Sequence, residues 1–170
     1  MWKFIELEHH RCLILGEPNT GKTQVTQTLL DEAEDLGRSI AVIDMAPERK
    51  GDIGGKLVCH NDHGYYTADI VTPRLSGRTE KEIIELAELN KRRIDSIFEK
   101  YRPKQVLFIN DVSIYLQRGE VKKIVDIMSL SETCIMNGYF GVSLGNDPLS
   151  TEERRKMTEL QKFCDRIMWR

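Results

Sequence analysis

Residues 16–23 read GEPNTGKT and match the pattern G-x-x-x-x-G-K-[ST] of a phosphate-binding loop. The preceding residues, 11–15 (RCLIL), form a short apolar run that is typical of a buried strand. The following residues, 23–36, have the apolar spacing expected of a helix. The pattern therefore stands between a predicted strand and a predicted helix, which is the context in which such a loop holds phosphate.

The residue types in this loop suit a polyphosphate. Gly16 and Gly21 permit backbone turns that aim successive N–H groups into one concave space. The helix that begins near Lys22 adds the positive end of its dipole, and the lysine reaches the β- and γ-phosphates. The Thr23 hydroxyl is a ligand for the Mg²⁺ that accompanies a nucleotide. The predicted nucleotide contacts are Gly16, Glu17, Pro18, Asn19, Thr20, Gly21, Lys22, Thr23 and Gln24. The alternative is a glycine-rich turn without a ligand, which the complete pattern disfavours.

Length and composition fit one globular domain. The chain has 170 residues, of which 40% are hydrophobic and 31% are charged. Residues 1–170 are therefore predicted to form a single nucleotide-binding domain, with an irregular insert or switch region at about 45–78. The net charge of −2 gives no overall basic field, so a nucleic-acid partner would require a local basic patch.

Two further features set the expected environment. No apolar run approaches the ~20 residues that cross a bilayer, and acidic residues interrupt the apolar N-terminus, so neither a membrane span nor a signal peptide is predicted. The four cysteines include no C-x-x-C pair, which fits a reducing compartment without disulfides. We therefore expect a cytoplasmic protein without a membrane partner.

Short apolar runs alternate with helical patterns along the chain. Strands are predicted at 2–7, 11–15, 39–44, 65–71, 106–109, 133–142 and 166–169, and helices at 22–36, 79–101, 119–129 and 151–163. This alternation predicts an α/β fold, a three-layer α/β/α sandwich with a mostly parallel sheet. Ligands of such sheets bind outside the carboxyl ends of the strands. The phosphate loop, Asp44 and Asp111 all fall at such ends.

Two acidic residues at predicted strand ends are candidates for a metal site. Residues 106–111 read VLFIND, which resembles a Walker B segment and places Asp111 to hold Mg²⁺ directly or through water. Asp44 is predicted to lie one strand away from the γ-phosphate, where it would orient or deprotonate a nucleophile. The alternative for each is a cap or turn residue. The predicted Mg²⁺ ligands are Thr23, Asp44 and Asp111, and the predicted catalytic residues are Lys22 and Asp44.

These features resemble the P-loop NTPase superfamily. Residues 23–44 resemble the SIMIBI class, which includes the MinD-type ATPases, and residues 11–58 are similar to the 5′-hydroxyl polynucleotide kinases of RNA processing. The resemblance implies that Asp44 serves Mg²⁺ or the attacking water, or acts as base on an acceptor hydroxyl. Two positions differ. The D-x-G-Q of those kinases is DMAPE at 44–48, and Glu17 replaces the MinD-type signature lysine, which argues against an ATP-sandwich dimer.

Cations outside the phosphate loop are candidates for contacts with substrate or phosphate. The segment 48–56 is predicted either to order as a switch on nucleotide binding or to be a solvated loop, and the two interpretations are even. The residues concerned are Arg49, Lys50, Gly54, Gly55 and Lys56. Four arginines are candidates for clamping the transferred phosphate, although each taken singly is better explained as a solvated residue. They are Arg74, Arg78, Arg154 and Arg155.

Two further clusters have alternative explanations. The closely spaced Cys59, His60 and His63 are metal-ligand types, but no fourth ligand is evident, so a polar loop is favoured. Tyr139 or Phe140 would stack on a nucleotide base, although a core position is favoured. A guanine-reading motif is absent, since Asn90–Lys91 has the wrong following residues and lies in a predicted helix. ATP is therefore favoured over GTP.

Three functions remain open at this stage. The first is a Mg²⁺-dependent ATP-binding protein that hydrolyses ATP or transfers its γ-phosphate to an unidentified acceptor. The second is a nucleotide-dependent switch or scaffold with slow turnover. The third, implied by the partial resemblance, is an enzyme similar to the 5′-hydroxyl polynucleotide kinases.

Overall fold

The computed structural model describes residues 1–49, 55–61 and 64–170. Their strands are β1 Arg11–Gly16, β2 Ile40–Asp44, β3 Gly64–Thr67, β4 Val106–Asn110, β5 Thr133–Tyr139 and β6 Arg166–Trp169. Their helices are α1 Lys22–Asp35, α2 Pro73–Ser76, α3 Glu80–Lys100, α4 Val112–Leu116, α5 Val121–Met128 and α6 Pro148–Gln161. Within these ranges no helix is both long and apolar enough to cross a bilayer.

The six strands form one sheet in the order β3-β2-β4-β5-β1-β6, and every adjacent pair is parallel. The four central strands are buried along nearly their whole length, as expected when helices cover both faces of a parallel sheet. The predicted α/β/α fold class is confirmed.

Alternation along the central strands supplies the two halves of the core. In β1, Cys12 and Ile14 pack with the apolar face of α1, whereas Leu13 and Leu15 pack with the layer formed by α3, α4, α5 and α6. Successive side chains of a strand point to opposite faces, so one short apolar run fills both layers. This packing fixes the end of β1, and with it the start of the phosphate loop.

The predicted edge strand at 2–7 is wrong. Phe4–Glu6 form a turn of 3-10 helix, with Phe4 and Leu7 buried against α1. The backbone N–H of Phe4 donates to Glu32 Oε2 over 2.6 Å. The spacing of three residues between the two apolar side chains suits one helical turn, and this contact with α1 replaces strand pairing.

Two short helices were absent from the sequence prediction. α2 lies within the segment predicted to be irregular and begins with Pro73, a residue suited to the first helical position. α4 follows β4 directly. Helices of four and five residues show too little periodicity to be recognised from sequence. Both nevertheless contribute to the candidate site.

Candidate functional site

The phosphate loop has the predicted strand–turn–helix arrangement. β1 ends at Gly16, and α1 begins at Lys22. Gly21 precedes the helix with φ of 84°, a left-handed conformation that glycine adopts without steric cost. A β-carbon at position 16 would overlap the carbonyl oxygen of Arg170. The backbone N–H of Arg170 donates to the carbonyl oxygen of Leu15 over 2.8 Å. The two glycines of the motif therefore meet two different needs, a backbone conformation and close chain packing.

A cavity of about 950 Å³ opens at the carboxyl ends of β1, β4 and β5. The phosphate loop and the N-terminus of α1 form one side, and α2 with Glu153 of α6 forms another. Among the predicted nucleotide and metal contacts, the described lining contains Pro18, Asn19, Gly21, Lys22, Thr23, Gln24 and Asp111. Asp44 is not part of that lining, and neither are Gly16, Glu17 and Thr20.

Lys22 is half-buried at the base of the loop. Its ammonium group donates to the carbonyl oxygen of Glu17 over 2.5 Å. Burial lowers the pKa of Lys22, while the negative charges of Asp111 and Glu17 act in the opposite direction. This geometry holds the positive charge within the loop and in electrostatic range of Asp111.

The side chain of Glu17 anchors the phosphate loop to the residues that follow β5. Its Oε1 accepts from the N–H of Val142 at 2.8 Å, and its Oε2 accepts from the Ser143 hydroxyl. The Ser143 hydrogen bond is the main cause of the lowered pKa of Glu17, with the Val142 hydrogen bond next. The Glu17 carboxylate thus has structural partners within the same chain.

Asp111 places a partly buried carboxylate beside the loop. The residue has a left-handed backbone with φ of 58°, its N–H donates to Asn137 Oδ1 over 2.9 Å, and its Oδ1 accepts from the Ser113 hydroxyl at 2.8 Å. Burial raises the pKa of Asp111, and the Ser113 hydrogen bond and the Lys22 charge only partly oppose this. A cation bound in the cavity would stabilise the ionised carboxylate.

Asp44 occupies a different environment from the one predicted. β4 and β5 lie between its strand and β1, so the expectation that it lies one strand from the phosphate is wrong. Its Oδ1 accepts from Ala46 N–H at 3.1 Å and from Asn110 Nδ2 at 2.9 Å. Its Oδ2 accepts from Leu57 N–H at 2.6 Å and from the Tyr65 hydroxyl at 2.9 Å. The carboxylate is fully buried, and burial raises its pKa despite these hydrogen bonds. This arrangement favours a structural role.

A chain of buried amides connects Asp44 to the phosphate-loop helix. Asn110 Nδ2 donates to Asp44 Oδ1 over 2.9 Å. Asn137 Nδ2 donates to Asn110 Oδ1 and to Thr26 Oγ1, both over 2.8 Å. The Thr26 hydroxyl donates to the carbonyl oxygen of Lys22 over 2.9 Å. Sequence reasoning missed Asn137. The available signal was a polar residue inside the otherwise apolar strand β5, where a buried amide requires partners.

The part of the cavity lining formed by α2 and Glu153 contains a largely buried ion pair. Arg74 of α2 donates to Glu153 Oε1 over 2.7 Å and to Ser150 Oγ over 3.0 Å. The second oxygen of Glu153 accepts from Gln117 Nε2 at 2.8 Å. Burial raises the pKa of Glu153 to about 7, although Arg74 acts to lower it. The buried Gln117 Oε1 has no hydrogen-bond partner within the described part of the chain. Arg74 therefore places a positive charge in this part of the cavity lining.

The pKa of Glu153 predicts a pH-dependent stability. Between its ordinary value of 4.5 and about 7, the folded protein retains a proton that the unfolded chain has released, so stability falls as pH rises through this window. Between pH 5 and pH 8, we expect the free energy of unfolding to fall by about 2–3 kcal/mol less in Glu153→Gln than in the wild type. Urea denaturation at several pH values measures it. Glu99→Gln, an exposed position on α3, should retain the wild-type profile, and an unchanged profile in Glu153→Gln would contradict the assignment.

The remaining candidates fall inside and outside the cavity. Arg74, Tyr139, Arg49, Gly55 and Lys56 line it. The other described candidates are not part of the lining and have partners elsewhere. Arg154 donates to Gly141 O, and Arg155 pairs with Glu152. The backbone N–H of Arg78 donates to Glu82, and Phe140 packs edge-to-face on Trp169. Lys50, Gly54 and His63 lie outside the described residues. Of the four arginines considered, Arg74 is thus the one whose position in the cavity wall fits a ligand contact.

No protein-family model and no curated protein matches the chain. Three solved structures are similar over most of its length. A chain of the E. coli MS115-1 HORMA:CdnC:Trip13 complex has 11% identity and a TM-score of 0.37, covering 95% of this chain and 48% of that one. The Aeropyrum pernix ORC1 protein, solved in complex with DNA, has 15% identity and a TM-score of 0.35, covering 94% and 39%. A protein from Pyrococcus horikoshii OT3 has 9% identity and a TM-score of 0.40, covering 98% and 85%.

The chain spans less than half the length of the first two structures. Similarity at this level does not identify a family.

Proposed function

We propose that this chain binds Mg²⁺-ATP in the cavity beside the phosphate loop and cleaves the bond to its γ-phosphate. One observation carries the proposal. The GEPNTGKT sequence forms the turn of a strand–turn–helix unit whose Lys22 and Thr23 line the same cavity as the partly buried carboxylate of Asp111. A cation, a hydroxyl and a carboxylate that converge at a helix N-terminus suit a metal-bound polyphosphate.

Each group has a distinct role in this proposal. The backbone N–H groups of the loop and the dipole of α1 hold the phosphate oxygens. Lys22 neutralises charge on the β- and γ-phosphates. Thr23 and Asp111 offer the hard oxygen ligands that Mg²⁺ prefers, and the bound ion would neutralise charge that develops on the phosphates.

The part of the cavity formed by α2 and Glu153 bears on the fate of the γ-phosphate. A volume of about 950 Å³ lies at the upper end of the range for small-molecule sites, so the cavity has room for a nucleotide and a further group. Arg74 lines this part of the cavity and offers that group a positive charge. Transfer to water and transfer to a small polar acceptor both fit. The polynucleotide kinase hypothesis assigns Asp44 as the base. Its carboxylate accepts hydrogen bonds from four donors and is not part of the cavity lining.

A nucleotide-dependent switch is the second candidate, and the amide chain favours it. Asn137 and Asn110 connect Thr26 of the phosphate-loop helix to Asp44, and Asp44 holds the N–H of Leu57. A displacement of α1 on nucleotide binding would therefore reach the segment 55–61. Protection of this segment from protease by ATP, without appreciable phosphate release, would favour the switch over the enzyme.

Calorimetric titration and thermal denaturation with ATP, GTP and ADP, each with and without Mg²⁺, test the proposal. At a Mg²⁺-ATP concentration of about 100 Kd we expect roughly 2.7 kcal/mol of stabilisation, or about 5–10 °C in Tm. Asp111→Asn is expected to remove the Mg²⁺-dependent part of this gain, because the metal loses a charged ligand. Asp126→Asn, at an exposed position on α5, is the control. Equal stabilisation of wild type and Asp111→Asn by Mg²⁺-ATP would refute the metal role.

A further inference from the structure

We propose that Asp31, Glu34 and His60 bind a divalent transition-metal ion of the zinc type, at a site that shares no ligand with the wall of the nucleotide cavity. Asp31 and Glu34 belong to α1, whereas His60 belongs to the segment 55–61. The sequence pattern around His60 suggested metal-ligand types without a complete set. The fold supplies further ligands from a helix about thirty residues earlier in the chain.

The three side chains converge on one point. Asp31 and Glu34 are three residues apart on α1, a spacing that places them on the same face of the helix. The candidate ligand atoms of Asp31, Glu34 and His60 all lie within 4.8 Å of one another, and His60 Nε2 is 3.9 Å from Asp31 Oδ1. The ligands of a tetrahedral Zn²⁺ lie about 3.4 Å apart. Small side-chain rotations are therefore enough to reach that geometry.

Hydrogen bonds hold the cluster together without a metal. Gln27 Oε1 accepts from the backbone N–H of Val58, and Gln27 Nε2 donates to the carbonyl oxygen of Val58, both over 2.8 Å. Gln27 Nε2 also donates to Asp31 Oδ1 over 2.7 Å, and the N–H of His60 donates to Glu34 Oε1 over 3.0 Å. Outer partners of this kind orient metal ligands and support their affinity. The segment 55–61 is thus fixed across α1 with its imidazole over the two carboxylates.

The charge distribution around the cluster suits a cation. Glu34 is buried, and Asp31 is about half exposed. The carboxylates of Asp31 and Glu34 therefore share one partly desolvated region beside the imidazole of His60. A bound divalent ion would offset their mutual repulsion.

The ligand types select the class of metal. Mg²⁺ prefers an octahedral shell of oxygen atoms, so the imidazole of His60 makes this cluster unlike the proposed Mg²⁺ ligands Thr23 and Asp111. Two carboxylates and one imidazole suit Zn²⁺, and three protein ligands leave a fourth position for water. Because His60 and the two carboxylates lie on different elements, the ion would fasten the segment 55–61 to α1. Gln27, which lines the nucleotide cavity, donates a hydrogen bond to Asp31.

Calorimetric titration of the metal-stripped full chain with Zn²⁺, in the absence of nucleotide, tests the proposal. We expect one saturable site in the wild type and a rise in Tm on zinc addition. His60→Ala and Asp31→Asn should each weaken Zn²⁺ binding by at least about tenfold, which is the lower end of the loss seen when even an outer partner of a ligand is removed. Both residues are substantially exposed, so circular dichroism should show the native fold in both variants.

Three controls make the outcome decisive. His9→Ala and Asp35→Asn change exposed residues of the same types outside the cluster and should retain wild-type zinc affinity. Lys22→Ala should also retain it, so failure of this site and failure of the nucleotide site are separate results. Co²⁺ provides a second measurement, with visible absorption bands in the wild type that disappear in His60→Ala. Zinc affinity unchanged in both His60→Ala and Asp31→Asn, or no saturable site in the wild type, would overturn the proposal.

Discussion

Lys22→Ala is expected to lower ATP turnover by about 10²–10³-fold and to weaken Mg²⁺-ATP binding, because the substitution removes the charge that stabilises the γ-phosphate during its transfer. In the structure the ammonium group is held in the loop by Glu17 O at 2.5 Å and faces the cavity that contains Asp111. The backbone N–H groups of the loop remain in the variant, so some nucleotide affinity should persist. Steady-state phosphate release and calorimetric titration with Mg²⁺-ATP measure the two effects.

The matched control is Lys162→Ala, which removes an exposed lysine just beyond α6. Its turnover and nucleotide affinity should equal those of the wild type. Circular dichroism and Tm should show that Lys22→Ala is folded. Normal turnover and affinity in Lys22→Ala would show that the loop does not hold a nucleotide in the proposed way.

Asp44→Ala is expected to lower the free energy of unfolding by about 3–5 kcal/mol, since it leaves three buried donors and the half-buried Tyr65 hydroxyl without their acceptor. Whole domains are stable by only about 5–15 kcal/mol, so this loss approaches complete unfolding. A milder variant keeps the test usable if Asp44→Ala does not fold. Tyr65→Phe removes one of the four donors and should cost about 1 kcal/mol. Urea denaturation measures both variants.

The comparison separates structure from chemistry at Asp44. If Asp44 is structural, Tyr65→Phe and Asp44→Asn lose stability, and any loss of turnover follows the loss of folded protein. Asp35→Ala, on the exposed face of α1, should change stability by less than about 0.5 kcal/mol. Full stability of Asp44→Asn combined with a large fall in turnover would instead restore the catalytic role expected from the sequence.

The phosphate loop and the layers of the fold could be predicted because their signals are local. The apolar run before Gly16 and the helix after Lys22 are contiguous in the chain, and short apolar strands between helices allow few architectures. The position of Asp111 at the end of a buried strand could be predicted for the same reason, whereas its role as a metal ligand stays a prediction.

The strand order could not be predicted, and it decides the position of Asp44. A helix that connects two strands indicates that the strands are parallel. It does not indicate how many other strands lie between them in the sheet. Here β4 and β5 separate β2 from β1, and β5 brings Asn137 to the position beside the phosphate-loop helix. Asn137 contacts Thr26, which lies 111 residues away in the chain, and Glu153 contacts Arg74, which lies 79 residues away, so no local pattern reveals these contacts.

The most direct test of the central claim is a crystal structure of the chain with Mg²⁺ and a non-hydrolysable ATP analogue. The account predicts phosphate oxygens within hydrogen-bond distance of the loop N–H groups and of Lys22 Nζ. It also predicts Mg²⁺ about 2.1 Å from Thr23 Oγ1, with Asp111 bound to it directly or through one water. An analogue bound away from residues 16–24, or a loop without nucleotide in crystals grown at saturating analogue, would contradict the account.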